Sequence, residues 1–229
     1  MSISTQAPPV PLTTERAARV ASIASALFAV SILLFSAVLN VPWKASDHTL
    51  LTWWNSDSHL IETLASLFFG ICAAVLFMVV ANYVRAVASR AEGGPTQWIA
   101  FAHSMAGAFC STMLVLAAMR GVIGRMVKVD GSPLPGLDVL QFSTGLNYAL
   151  YNTGAMAALA LSIMAMSIVV LRTHILGTWV GVVGIISSAV ILVAVAALLG
   201  SLSVPVALVW AVSMAVALWR RQSAHRSPA

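Results

Sequence analysis

Long apolar stretches, separated by short polar connections, organise this chain of 229 residues. From Thr173 to Trp219 there is no Asp, Glu, Lys or Arg. Such a run exceeds the roughly 20 apolar residues that cross a bilayer. Gly200-Ser201 and Pro205 divide it into two crossings. With the earlier stretches, the pattern predicts six transmembrane helices, over 20–39, 60–84, 98–119, 147–171, 175–199 and 202–219. The expected fold is an all-α polytopic membrane helix bundle. Membrane strands are excluded, because they are about 9–11 residues long with strict alternation, and these stretches are longer and continuously apolar.

The punctuation between the spans supports that division. Residues 1–15, with Pro8, Pro9 and Pro11, read as a disordered tail; 16–221 form one transmembrane domain; 222–229 form a second tail. Arg16 and Arg19 precede the first span. A signal peptide would show the same charge, but its apolar core is about 7–15 residues, so a retained helix is the expectation. Gly93-Gly94-Pro95 ends the second span and Thr96 is placed to cap the third. The longest connection, 120–146, carries the turn signals Gly131-Ser132-Pro133 and Pro135-Gly136. Trp43, Trp98 and Trp219 lie at span ends, where indole rings favour the headgroup zone.

An even number of spans puts both termini on one side. With the termini inside, the inner segments hold Arg16, Arg19, Arg85, Arg90, Arg172, Arg220, Arg221 and Arg226, against Lys44, Arg120, Arg125 and Lys128 outside. The positive-inside rule then predicts cytoplasmic termini. Only 8% of residues are charged and 60% are hydrophobic, with mean hydropathy +0.94. Soluble domains carry about 25% charged residues, so lipid is the expected outer solvent. The net charge of +5 comes from span ends, which points to orientation and anionic headgroups and away from nucleic acid. The dominance of Arg over Lys suggests a high-GC bacterial genome and hence a multi-pass protein of the bacterial plasma membrane.

Several polar or small residues inside the spans read as packing. Gly177, Gly181, Gly184 and Ser188 share a face of the fifth span, and Gly154, Ala158 and Ser162 share one of the fourth. The expected use is packing of this hairpin on itself, with homo-oligomerisation as the alternative. Cys72 and Cys110 read as small buried residues. The serines and threonines inside the spans (Ser22, Ser25 and Ser162 among them) are expected to bond a carbonyl one turn back in their own helix. No three-plus-three inverted repeat of the kind many transporters show is visible.

One polar constellation stands out. Asp57, His59 and Glu62 open the second span, Ser66 and Gly70 continue its face, Arg120 ends the third span, and Asn147, Tyr148, Tyr151 and Asn152 open the fourth. All lie on the predicted outer side. The first reading is an interfacial Glu62–Arg120 ion pair. The second is a ligand pocket formed by Glu62, Arg120, Tyr151 and Asn152. The third, a remote alternative, is a metal-dependent enzyme using Asp57, His59 and Glu62, with His48 as a further candidate ligand. Haem between His59 and His103 is excluded by their depths, about 20 Å apart at 1.5 Å per residue. His103 is expected to bond Asn82 within the bundle. There is no GxSxG, P-loop, CxxC or HExxH, so no cofactor is expected.

Taken together, the charged start, the helix ending Tyr83-Val84-Arg85, the Gly93-Gly94-Pro95 break, the Thr178-Trp179-Val180-Gly181-Val182-Val183-Gly184 segment and the ending Leu218-Trp219-Arg220-Arg221 carry a resemblance. The chain resembles six-helix integral membrane proteins of actinobacteria grouped as membrane domains of unknown function. That resemblance implies a six-helix fold in a membrane and no activity. The expected function is accordingly a non-enzymatic membrane protein acting through the lipid bilayer, a second copy or another membrane protein. The alternative is a small-molecule binder or transporter using the outer cluster.

Overall fold

The structure is a computed structural model, and it describes residues 12–37 and 46–224. Eight α-helices follow one another: α1 Leu12–Ala37, α2 Asp47–Trp54, α3 Asp57–Ala91, α4 Gln97–Lys128, α5 Leu137–Ala149, α6 Met156–Thr173, α7 Thr178–Ala196 and α8 Val204–Ala224. A π-helical turn, Leu150–Ala155, joins α5 to α6, and a 3₁₀ turn, Gly200–Ser203, leads into α8. Six of the resulting rods are long and apolar enough to cross a membrane: Glu15–Ala37, Asp57–Ala91, Gln97–Lys128, Leu137–Thr173, Thr178–Ala196 and Gly200–Arg221. The protein is an all-α, six-span integral membrane protein.

The expected spans were too short at one end of the bundle. The fourth rod begins at Leu137 rather than near Asn147, the third continues to Lys128 rather than stopping at Met119, and α2 was not foreseen. Charge misled the reading there: Arg120, Arg125 and Lys128 looked like the end of a span, but a helix continues past charges that find partners or water. Trp43, Lys44, Arg226 and most of both tails lie outside the described residues, but α1 begins at Leu12 and α8 runs to Ala224, so each helix extends a few residues into its expected tail.

Each crossing packs on the next, α1 on α3, α3 on α4, α4 on α6, α6 on α7 and α7 on α8, and α8 closes on α1. The helices therefore form a ring with both described chain ends at one end of the bundle, here called the near end. Rings fill its centre. Phe28 and Phe77 lie 5.1 Å apart between centroids, Phe77 and Phe109 4.9 Å, and Phe77 and Trp210 6.0 Å. Lipid is as apolar as these side chains, so burial alone does not hold helices together; close backbone approach and interhelical hydrogen bonds add to it. Both occur here. On the α1–α8 seam, Ser22 Oγ donates to the Ala215 carbonyl at 2.8 Å and Ser25 Oγ to that of Ala211 at 2.9 Å. Ser162 Oγ donates to Ala102 at 3.0 Å and Cys110 Sγ to Ala74 at 3.0 Å. These residues thus reach across to a neighbouring helix, contrary to the within-helix bonding expected of the serines. The second lone pair of an already bonded carbonyl makes this possible.

Three glycines mark close approach between α3 and α4. A Cβ at Gly121 would lie 2.9 Å from Leu67, one at Gly70 would lie 2.7 Å from Ala117, and one at Gly124 would collide with Thr63 and meet the Leu60 carbonyl at 2.7 Å. On α7, Gly181 and Gly184 lie against Leu171 and Ser167 of α6. The expected partner face does not meet them: Gly154 is beside Thr112 and Ser162 reaches Ala102, both on α4. Gly177 precedes α7 and lies against the ring of Trp179, so it is no part of a helix–helix contact.

Candidate functional site

Arg120 belongs to the far end of the bundle, opposite the chain ends. Along α4 the buried residues Ile99, Ala102, Ala106, Phe109, Met113, Leu116, Arg120 and Ile123 alternate by three and four. That spacing is the core-facing stripe of a helix. Arg120 therefore occupies a position where a hydrophobe would ordinarily sit, and it is only 8% exposed. Counting 1.5 Å per residue, it lies about 11 Å from the midpoint of α4, less than half the thickness of a hydrocarbon layer of about 30 Å.

Neutral groups from neighbouring helices hold the guanidinium. Nε donates to Asn147 Oδ1 at 2.9 Å; Nη1 donates to the Phe35 carbonyl at 2.8 Å and to Ser66 Oγ at 3.3 Å. The cation lies 3.9 Å from the centroid of the Phe35 ring and 5.4 Å from that of Tyr151. Each contact has a local reason. Phe35 is in the last turn of α1, where carbonyls lack helical partners and the helix dipole favours positive charge. Asn147 and Tyr151 are one turn apart and so share a face. Tyr151 in turn bonds Ser36 through its hydroxyl. Gly121 and Gly124 bring α3 close enough for Ser66 to reach the same guanidinium.

The cluster lies between two apolar layers. Toward the centre are Phe35, Leu116 and Met156 of the main core; on the far side Leu50, Trp54, Leu60, Ile123 and Leu140 form a second core that α2 and α5 complete. This cap explains why the polar groups are buried rather than interfacial.

The expected Glu62–Arg120 ion pair is not formed. Glu62 is half-buried, one helical turn before Ser66, and the described ion pairs are Arg125 with Asp130 at 3.9 Å and Lys128 with Asp57. Burial beneath the cap selects a carbonyl, an amide and a hydroxyl over a carboxylate. Asn152 also leaves the expected pocket. Its Oδ1 accepts from the Ser201 backbone N–H at 2.7 Å, and its Nδ2 donates to the Tyr148 carbonyl at 3.0 Å. The extra residue in the π turn swings it toward the α7–α8 connection, away from Arg120. Such turns are frequent at functional positions. Of the four residues expected to line a pocket, Arg120 and Tyr151 are brought together; Glu62 and Asn152 make no described hydrogen bond or ion pair with Arg120.

The remote metal set is also separated. Asp57 pairs with Lys128, while His59 stacks on Trp53 at 4.3 Å and its Nδ1 lies 2.9 Å from the Trp53 carbonyl. Among the described residues, no group of three or more His, Cys, Asp and Glu side chains could hold a metal.

No family model, curated protein or solved structure matches this chain. Function must therefore be argued from the residues themselves. The residues missing from the sequence-based expectation are Phe35, whose carbonyl lies 85 positions before Arg120, and Ser36, 115 positions before Tyr151. Asn147 was noted as polar but not as an Arg120 ligand. The three-and-four spacing through Arg120 was the available signal.

Proposed function

We propose that this chain is a non-enzymatic protein of the bacterial plasma membrane, with cytoplasmic termini, that acts by associating with lipid or with other membrane proteins. The observation that carries this reading is the way Arg120 is held. Its described contacts are neutral side chains, a backbone carbonyl and two rings from α1, α3, α5 and the π turn, beneath an apolar cap. Such a knot fixes the relative positions of helices. It leaves the outer surface as the working surface, where Phe68, Val75, Val115, Ile186, Val193 and Val209 are exposed.

The test is extraction into native-lipid particles, followed by mass spectrometry of retained lipids and photobleaching counts of protein copies. Stoichiometric lipid, a second copy or a fixed partner is expected. A monomer that retains nothing above the bulk lipid composition defeats the reading. Orientation is checked separately, with Cys72 and Cys110 replaced by Ala. A thiol reagent added outside the cell should label Ser132→Cys and spare Gln97→Cys.

A second reading, a binder of small anions, is favoured by one observation. The guanidinium has no carboxylate partner, and its Nη2 has no hydrogen bond among the described residues. A buried cation left in this state is a default candidate for ligand binding. A panel of carboxylates and phosphates should then raise the thermal stability of the wild type and leave Arg120→Met unchanged. Equal shifts in both proteins exclude Arg120 as the contact.

A further inference from the structure

A narrow crevice lies between α3, α4 and α6 toward the near end, well away from Arg120. Its walls are apolar, formed by Ala81, Val84, Ala88, Ile99, Ala102, Met166 and Val169, and two polar side chains, Arg85 and His103, face it. The expected bond from His103 to Asn82 is not present: Asn82 is exposed, and His103 Nδ1 is buried without a hydrogen-bond partner. Arg85 is exposed and forms no ion pair among the described residues. Burying a ring nitrogen unpaired is unfavourable, so the crevice as described lacks a polar partner.

Its depth identifies what could supply that partner. His103 lies about 14 Å from the midpoint of α4 by the helical rise. That is the edge of a hydrocarbon layer about 30 Å thick. At this level the phosphate of a phospholipid meets its glycerol and first acyl carbons. Charge agrees with an anion. Arg85, Arg90 and Arg172 belong to the same end of α3 and α6, against the single carboxylate Glu92 in the α3–α4 turn. The wall agrees with a lipid, because the remaining surface is methyl and methylene. Basic crevices between transmembrane helices are a recognised form of anionic headgroup site.

We propose that this crevice binds the phosphate of an anionic phospholipid. Arg85 supplies charge and His103 supplies a ring N–H from the buried side. This goes beyond the association reading by naming a ligand class and a site, and it rests on that reading for its biological sense.

The experiment is native mass spectrometry of the purified protein titrated with phosphatidylglycerol, with phosphatidylcholine and inorganic phosphate as separate arms. Arg85→Gln should weaken phosphatidylglycerol binding about tenfold, a change of about 1.4 kcal/mol, and His103→Phe severalfold. Ala88→Leu, which keeps both polar groups and fills the crevice, should also weaken it. Arg90→Gln, a nearby arginine that does not line the crevice, should leave it unchanged, and each variant is checked for wild-type thermal stability in lipid-free micelles. Equal losses in Arg90→Gln and Arg85→Gln would overturn the site in favour of diffuse attraction. Displacement of the lipid by millimolar inorganic phosphate, or equal affinity for phosphatidylcholine, would overturn the anionic-lipid assignment. If Arg85→Gln and Ala88→Leu both bind normally while native-lipid particles still retain lipid or a partner, this site fails and the association reading stands. If those particles retain nothing, the association reading fails as well.

Discussion

The two ends of the bundle use arginine in opposite ways. At the near end Arg16, Arg19, Arg85, Arg90, Arg172 and Arg220 are exposed and Arg221 is half-buried, with Glu15 and Glu92 as the acidic residues among the described positions. At the far end Arg120 is buried, while Asp47, Asp57, Glu62, Asp130 and Asp138 outnumber Arg125 and Lys128 at the surface. The near-end arginines gain from water and headgroups, so their positions tolerate exchange and their value is collective. The far-end arginine has traded water for a few fixed dipoles, so each of its contacts matters. Charge number describes the first end; only geometry describes the second.

Asn147→Leu should show the difference most strongly. It removes the acceptor of Arg120 Nε while leaving the cation buried, and a loss of about 3 kcal/mol is expected, within the range for breaking one partner of a buried charge. Denaturant unfolding in bicelles would measure it. The double variant Arg120→Met/Asn147→Leu should be less destabilised than the single one, because the uncompensated charge is gone. A strictly additive pair would mean that Arg120 already reaches water and that the contrast between the ends is false.

Next in size is Gly200→Ala, about 2 kcal/mol by the usual range for overpacking. A Cβ there would strike the Asn152 backbone in the π turn, and Leu198 two residues earlier already holds φ +59. The chain has little freedom to move aside. The same assay should find this variant worse than an alanine placed at Gly94, beside which nothing lies within 4 Å.

Arg221→Ala tests the near end where it comes closest to burial. Its Nη1 donates to the Ile175 carbonyl at 3.0 Å, and a loss of about 1 kcal/mol follows from a single part-exposed hydrogen bond. Smallest of all should be Arg125→Ala. Its contact with Asp130 is 3.9 Å long between side chains 70% and 48% exposed, and less than about 0.5 kcal/mol is expected. A larger effect at Arg125 than at Arg221 would reverse the ranking that burial predicts.

The same contrast explains what the sequence could disclose. Six spans were legible because lipid imposes the same apolar requirement on every crossing, and a window of hydropathy registers it. The neighbours of Arg120 were not, because hydropathy counted the residue as a terminus. The three-and-four spacing from Ile99 to Ile123 placed it in the core stripe, and that signal outranked its charge. The Phe35 carbonyl was out of reach of any residue pattern, since a backbone acceptor has no letter of its own. Asn152 was misplaced because the π turn shifts facing by one residue, and a rule of 3.6 residues per turn carries no warning of it. The seam serines were misjudged for a simpler reason: a hydroxyl in a span has two carbonyls within reach, and only packing chooses.

The closed ring also has a consequence for synthesis. α1 is synthesised well before α8, yet Ser22 and Ser25 find their acceptors on α8. Until α8 is delivered, the seam face of α1 lacks those acceptors. A nascent chain truncated before Val204 therefore holds an open arc with two unfinished edges, the state in which a membrane quality-control protease or a neighbouring nascent copy finds its opportunity. Closure of the ring therefore waits on α8.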